Sequence, residues 1–224
     1  MPVMTFSSSS STMVVFYSLS IDLSQFSTLV QNHLANVEDT LELEAVGERL
    51  RKRFLGKNDL TDFIKRVCQW GNYPGIAGRI LKQNDFAKIR VCFERALEAL
   101  SSDPANVHRA LHEINQIRQL GSPSFASKHL RFLRPDVCPV LDRVIATRLG
   151  YDLNADGYRK FSEDCLQIAQ ILQQRNVSNP ISRQDGQWFA ADVEMAVFVR
   201  LRSQLIELMR LPENKEPPSI GGSG

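Results

Sequence analysis

Apolar side chains recur at three- and four-residue intervals through most of this chain, a period that only α-helices gather onto one face. Leu60, Phe63, Ile64, Val67 and Cys68 form one such stripe, and Phe86, Ile89, Phe93, Ala96 and Leu100 form a second. Val107, Leu111, Ile114 and Ile117 make a third, whose helix is expected to open at Asp103-Pro104, a capping carboxylate followed by a first-turn proline. Two later stripes run through Phe161, Cys165, Ile168 and Leu172, and through Val193, Val197, Leu201, Leu205 and Leu208. Thr12 to Ile21, rich in β-branched and aromatic residues, reads as a short strand or an extended segment pinned to the core. No internal repeat and no parallel-sheet alternation accompany these patterns, so the expected fold is all-α, with at most one short N-terminal strand.

The first two stripes are separated by Gln69-Trp70-Gly71-Asn72-Tyr73-Pro74-Gly75, where glycines and a proline forbid a continuous helix and require a loop. Its two aromatics either plug the core or offer flat faces for stacking. At 224 residues the chain is long enough to bury one core or two small lobes sharing a cleft. The serine-rich residues 1–12 read as a flexible arm, residues 13–211 as one helical domain and residues 212–224 as a disordered tail. No apolar run approaches the ~18 residues needed to span a bilayer. The four cysteines lie more than twenty positions apart (92 − 68 = 24 at the closest), so no metal-finger spacing exists and buried thiols in a reducing cytoplasm are expected. A formal charge of +2 and a pI of about 8.4 mean that any affinity for nucleic acid must come from local clustering of charge.

Such clustering occurs between residues 119 and 145, where Lys128, His129, Arg131, Arg134, Arg143 and Arg148 stand among or beside only two acids, Asp136 and Asp142. A helix is expected to end at the Gly121-Ser122-Pro123 turn, with a short helix after it. A second turn follows at Pro135, and Pro139 then starts a helix with Asp142 in its first turn. The first turn would present unpaired backbone N–H groups to a phosphate. Asp142 reads in two ways: as a helix-capping carboxylate, or as an ionised group aimed at a developing positive charge.

This helix–hairpin–helix–turn–helix pattern, with Pro139-Val140-Leu141-Asp142 behind it, resembles the helix-hairpin-helix, Gly/Pro-rich, aspartate superfamily of DNA glycosylases. The register is most like the monofunctional adenine DNA glycosylases, because Ser124, eighteen residues before Asp142 (142 − 124 = 18), stands where a lysine marks the glycosylase/lyases. Lys128, one helical turn after Ser124, either enters the same pocket or faces DNA as a solvated cation. Trp70 to Gly75 and Gln187 to Glu194 also resemble segments of small bacterial members. Two features depart from the family: the hairpin carries only Gly121 before Ser122-Pro123 rather than Gly-x-Gly, and the closely spaced cysteines of an iron–sulfur cluster are missing.

The resemblance implies a two-lobed helical fold with Asp142, Lys128 and Ser124 as catalytic residues, and a base pocket built from Trp70, Tyr73, His129 and Trp188. Gly121, Ser122, Arg131, Arg134 and Arg143 would hold the DNA backbone, and His129 or Glu194 would supply an acid. It implies a cytoplasmic monomer on double-stranded DNA that uses no metal or cofactor. It would excise a damaged base in repair, or a hypermodified cytosine in defence against phage. Two other classes stay open on the residues alone: a non-catalytic DNA-binding module and a helical protein-interaction domain.

Overall fold

A computed structural model describes residues 12–16, 18–52, 56–121 and 123–210, without the side chains of 208–210. The tail at 212–224, Ser122 and nearly all of the expected arm lie outside the described residues. The N-terminal segment is a hairpin rather than one strand: β1 (Met13–Phe16) pairs antiparallel with β2 (Leu19–Asp22), Met13 opposite Asp22 and Phe16 opposite Leu19. Period-two alternation places Val14, Phe16, Leu19 and Ile21 in the core.

Among the described residues, everything else that is regular is helical, two short 3-10 turns included. The helices are α1 (Phe26–Asn36), α2 (Thr40–Lys52), α3 (Lys57–Trp70), α4 (Gly75–Gln83), α5 (Phe86–Leu100), α6 (Val107–Ile114), α7 (Ser124–Leu133), α8 (Arg143–Leu149), α9 (Ala155–Gln174) and α10 (Ala190–Arg210). The stripes read on α3 and α5 are buried almost throughout. Helix α6 opens later than expected, because Asn106 rather than Asp103 caps it, its side-chain oxygen accepting from the Arg109 amide at 2.9 Å. Asp103-Pro104 lies in the turn before it. The expected loop at 69–75 is shorter than its composition suggests: α3 runs through Trp70, and Gly71 to Pro74 turn the chain into α4.

Helix α7 forms the middle of the molecule, and every residue from Ala126 to Leu133 is buried. Helix α2 reaches it at Gly47, where a Cβ would stand 1.8 Å from the Phe132 carbonyl oxygen, so only glycine permits that approach. The segment after α7 is clamped on two sides. Ser127 Oγ accepts from the Leu141 amide at 3.1 Å, and the Ala190 and Ala191 amides that start α10 donate to the Asp136 and Pro135 carbonyls at 3.1 Å each. That clamp satisfies backbone groups at a buried helix start and fixes the path of the chain toward Asp142. Among the described residues, no helix is long and apolar enough to cross a membrane.

Candidate functional site

Residues 124, 128 and 131 are spaced to share one face of α7. Lys128 buries its stem there, leaving its side chain 8% exposed. Its Nζ lies 3.3 Å from Ser124 Oγ, to which it donates, and 3.9 Å from Asp142 Oδ2. Gly71 leaves room for the stem, since a Cβ there would meet a Phe125 ring carbon at 2.8 Å and Lys128 Cδ at 3.1 Å. The amine also lies 5.1 Å from the centre of the Phe125 ring. Burial pushes the Lys128 amine below its ordinary value, while Asp142 and Glu194 oppose that shift.

Pro139 does not open a helix; the chain passes from Pro139 to Leu141 without helical structure, and α8 begins only at Arg143. Asp142 is therefore the N-cap rather than a first-turn residue, with Oδ1 accepting from the Ile145 amide at 3.0 Å. Its other oxygen faces Lys128, and its side chain keeps 21% exposure. The capping and the pairing roles thus coexist on one carboxylate. Beneath them lies Glu194 of α10, 3% exposed, with no hydrogen-bond partner on Oε2. Burial, with help from the Asp142 charge, pushes its carboxyl up to about 8 despite Arg131, Lys128 and the Val140 amide nearby.

Other residues expected at the site lie elsewhere. Arg131 is wholly buried, with Nη1 2.8 Å from Glu44 Oε1 and its guanidinium 4.4 Å from the Phe132 ring, so it is an interior ion-pair partner and meets no phosphate. His129 is also interior. Its Nδ1 lies 2.6 Å from the Phe125 carbonyl and its ring stands edge-on to Phe63 and Phe93, while burial holds it down to about 4, so it is no pocket acid. Trp188, 5% exposed, donates Nε1 to the Val177 carbonyl at 2.8 Å and packs edge-on against Phe26, which makes it a core residue rather than a base platform. Trp70 is half-buried, its Nε1 donating to Thr40 Oγ1 at 2.9 Å and its ring edge-on to Phe132.

Tyr73, 59% exposed, sits in the same turn as Gly71, the glycine beside the Lys128 stem. Arg143 is exposed at the start of α8. Arg134 is largely committed: Nε and Nη2 donate to Asp136 at 2.8 and 2.7 Å, and Nη1 donates to the Leu100 carbonyl. Gly121 is exposed with φ at +78°, a left-handed turn position. The hairpin amides are less open than expected, because those of Phe125 and Ala126 already donate to the Gly121 carbonyl.

The sequence reading missed a second set of buried charges. Arg183 donates to Glu44 and, at 2.6 Å, to Asp192, which also accepts from Asn179 at 2.8 Å. Burial works against the Glu44 carboxylate, yet Arg131 and Arg183 hold it below the usual carboxylate range. Alternation of charge along the chain gives no signal for this set, since its members come from α2, α7, α10 and the loop before α10.

What the first cluster offers is a buried amine disposed to lose its proton, a carboxylate beside it, a hydroxyl within donor reach and a second carboxyl below. An amine of that kind can attack an electron-poor carbon, and the adjacent carboxylate can stabilise positive charge as it develops. Comparison with protein-family models, with curated proteins and with solved structures finds no match to this chain.

Proposed function

We propose that the protein is a DNA N-glycosylase that extrudes a damaged or modified nucleotide from double-stranded DNA and breaks its glycosidic bond. The observation that carries this reading is the placement of Lys128 Nζ, buried, between Ser124 Oγ and Asp142 Oδ2. As the C1′–N bond to the base breaks, positive charge grows on the sugar, and the Asp142 carboxylate stabilises it. Water, or the Lys128 amine in its neutral form, then bonds to C1′. In the second case the base departs with the bonding electron pair and takes up the proton that the lysine nitrogen loses, and a covalent sugar–enzyme species follows. The burial of Lys128, which disposes the amine to lose its proton, favours this lysine route over the monofunctional one that the register of Ser124 suggests.

Exposed Arg143 and Arg148 and the left-handed turn at Gly121 suit contacts with the phosphate backbone, and Tyr73 suits stacking on the extruded base. In this reading two helical lobes flank the DNA cleft and the enzyme acts as a cytoplasmic monomer. The substrate is a damaged base in repair or a hypermodified cytosine in phage defence. A non-catalytic DNA-binding module is the rival reading. It leaves the burial of a lysine against an aspartate without a purpose.

Asp142→Asn is the direct test, because asparagine caps helices as well as aspartate and so keeps α8 in place. Base release from oligonucleotides carrying oxidised purines, mismatched adenine, alkylated bases or hypermodified cytosines should fall on the order of 10²–10³-fold, with DNA binding retained. Borohydride should trap the wild-type protein on DNA and fail to trap Lys128→Ala. A fully active Asp142→Asn protein removes Asp142 from the chemistry.

A further inference from the structure

We infer that Glu194 is a positioning residue that sets the charge of the Lys128–Asp142 pair from within the core. Its place follows from the clamp at the start of α10: Ala190 and Ala191 hold the carbonyls of Asp136 and Pro135, and one turn further on Glu194 meets the backbone amide of Val140, two residues before Asp142. The carboxyl is 3% exposed and Oε2 has no partner, an arrangement that penalises the anion and that a core without function would fill with an apolar side chain.

The ionisable groups that act on it are Lys128 and Arg131 from α7, Asp142 at the cap of α8 and Cys165 of α9. Arg131, the strongest of these charges, stays a cation and sets a constant background, and burial keeps the Cys165 thiol neutral. Lys128 is the group whose charge can respond. While Glu194 keeps its proton, the ammonium of Lys128 has one carboxylate in support. Once Glu194 loses it, a second negative charge favours the ammonium and withholds the amine. With a carboxyl pushed up to about 8, the protonated form prevails at neutral pH, which is the form that leaves Lys128 easiest to deprotonate.

The consequence for base release rests on the glycosylase reading; the charge coupling does not. Carbon-13 NMR titration of the full chain, following the Glu194 carboxyl and the Lys128 ε-carbon, measures the coupling without DNA. Glu194 should titrate near 8, Lys128→Met should raise that midpoint, and Glu194→Gln should lower the Lys128 midpoint. The two shifts should match because linkage is reciprocal, at about one pH unit or more. A Glu194 midpoint in the ordinary carboxylate range, or midpoints that ignore each other, overturns the inference. Wild type and Lys128→Met decide it even if Glu194→Gln fails to fold. In activity, Glu194→Gln should move the alkaline limb of the pH profile of base release, and an unmoved profile counts against the positioning role. Matched NMR shifts with no base release from any protein leave the coupling standing and remove the glycosylase.

Discussion

Two clusters of buried charge share helices α7 and α10, and they are built to different standards. Around Glu44, Arg131, Arg183 and Asp192 the contacts are short and multiple: 2.8 Å from Arg131 to Glu44, 2.6 Å from Arg183 to Asp192, with Asn179 and the Phe189 amide also donating to Asp192. One turn away on α7 and two residues away on α10, Lys128 stands 3.9 Å from Asp142 and Glu194 keeps an unpaired oxygen. Close pairs of the first kind hold a fold together, even with Arg131 Nε left without a hydrogen-bond partner, because removing one member strands a charge in the core. Loose pairs of the second kind leave bonding capacity open, which the proposed chemistry would use. The difference lies in contact distance rather than in residue type, since each cluster contains the same ingredients, carboxylates and cations.

The largest effect that tests this contrast is on stability. Glu44→Gln leaves two buried guanidinium groups short of their counter-charge and should cost about 3–5 kcal/mol, read as a loss in denaturant midpoint. A variant as stable as wild type would show that the close-contact cluster is not structural. Acid titration gives a smaller effect. Burial holds both His33 and His129 at about 4, so the unfolded chain takes up their protons first and stability is lost as pH falls from about 6.5 toward 4. Glu194 works in the opposite sense. Raised from 4.5 to about 8, it contributes stability below 4.5 that is lost as pH rises through 8. Two histidines against one glutamate leave a net slope of about 1.4 kcal/mol per pH unit between 6.5 and 4.5, and Glu194→Gln should roughly double it. A slope unchanged by that substitution would mean that Glu194 titrates normally. The smallest effect belongs to the loose cluster: Lys128→Met should leave thermal stability within about 1 kcal/mol of wild type, since Asp142 keeps its cap and its access to water. A large loss there would class the pair with the close-contact one.

Helices α3, α5, α9 and α10 were legible because each repeats one apolar stripe over several turns. Short or less regular elements were not. The start of α6 was misplaced because Asp103 and Asn106 both satisfy the capping rule, and only the three-dimensional turn decides between them. The hairpin hid its second strand because four residues are too few to establish alternation against a helix. Within the site, the spacing of Ser124, Lys128 and Asp142 was readable as separate positions, whereas Arg131 was not. It lies in the same basic run, yet its counter-charge sits on α2, eighty-seven positions away (131 − 44 = 87), and local sequence carries no trace of such a partner. Trp188 and His129 were misread for a related reason: an aromatic or imidazole ring with one polar edge suits a pocket and a core equally well, and only the Val177 and Phe125 carbonyls settle which.

Gly47 gives the loose cluster a remote dependence. It contributes no atom to any pair and belongs to a helix that holds none of the reactive groups, yet the missing methyl fixes how closely α2 can lie on the backbone of α7 at Phe132. Bulk introduced there must part α2 from α7, the helix that carries Lys128. The amine's setting thus depends on an empty volume on a different helix, a position that a survey confined to groups around the amine would pass over.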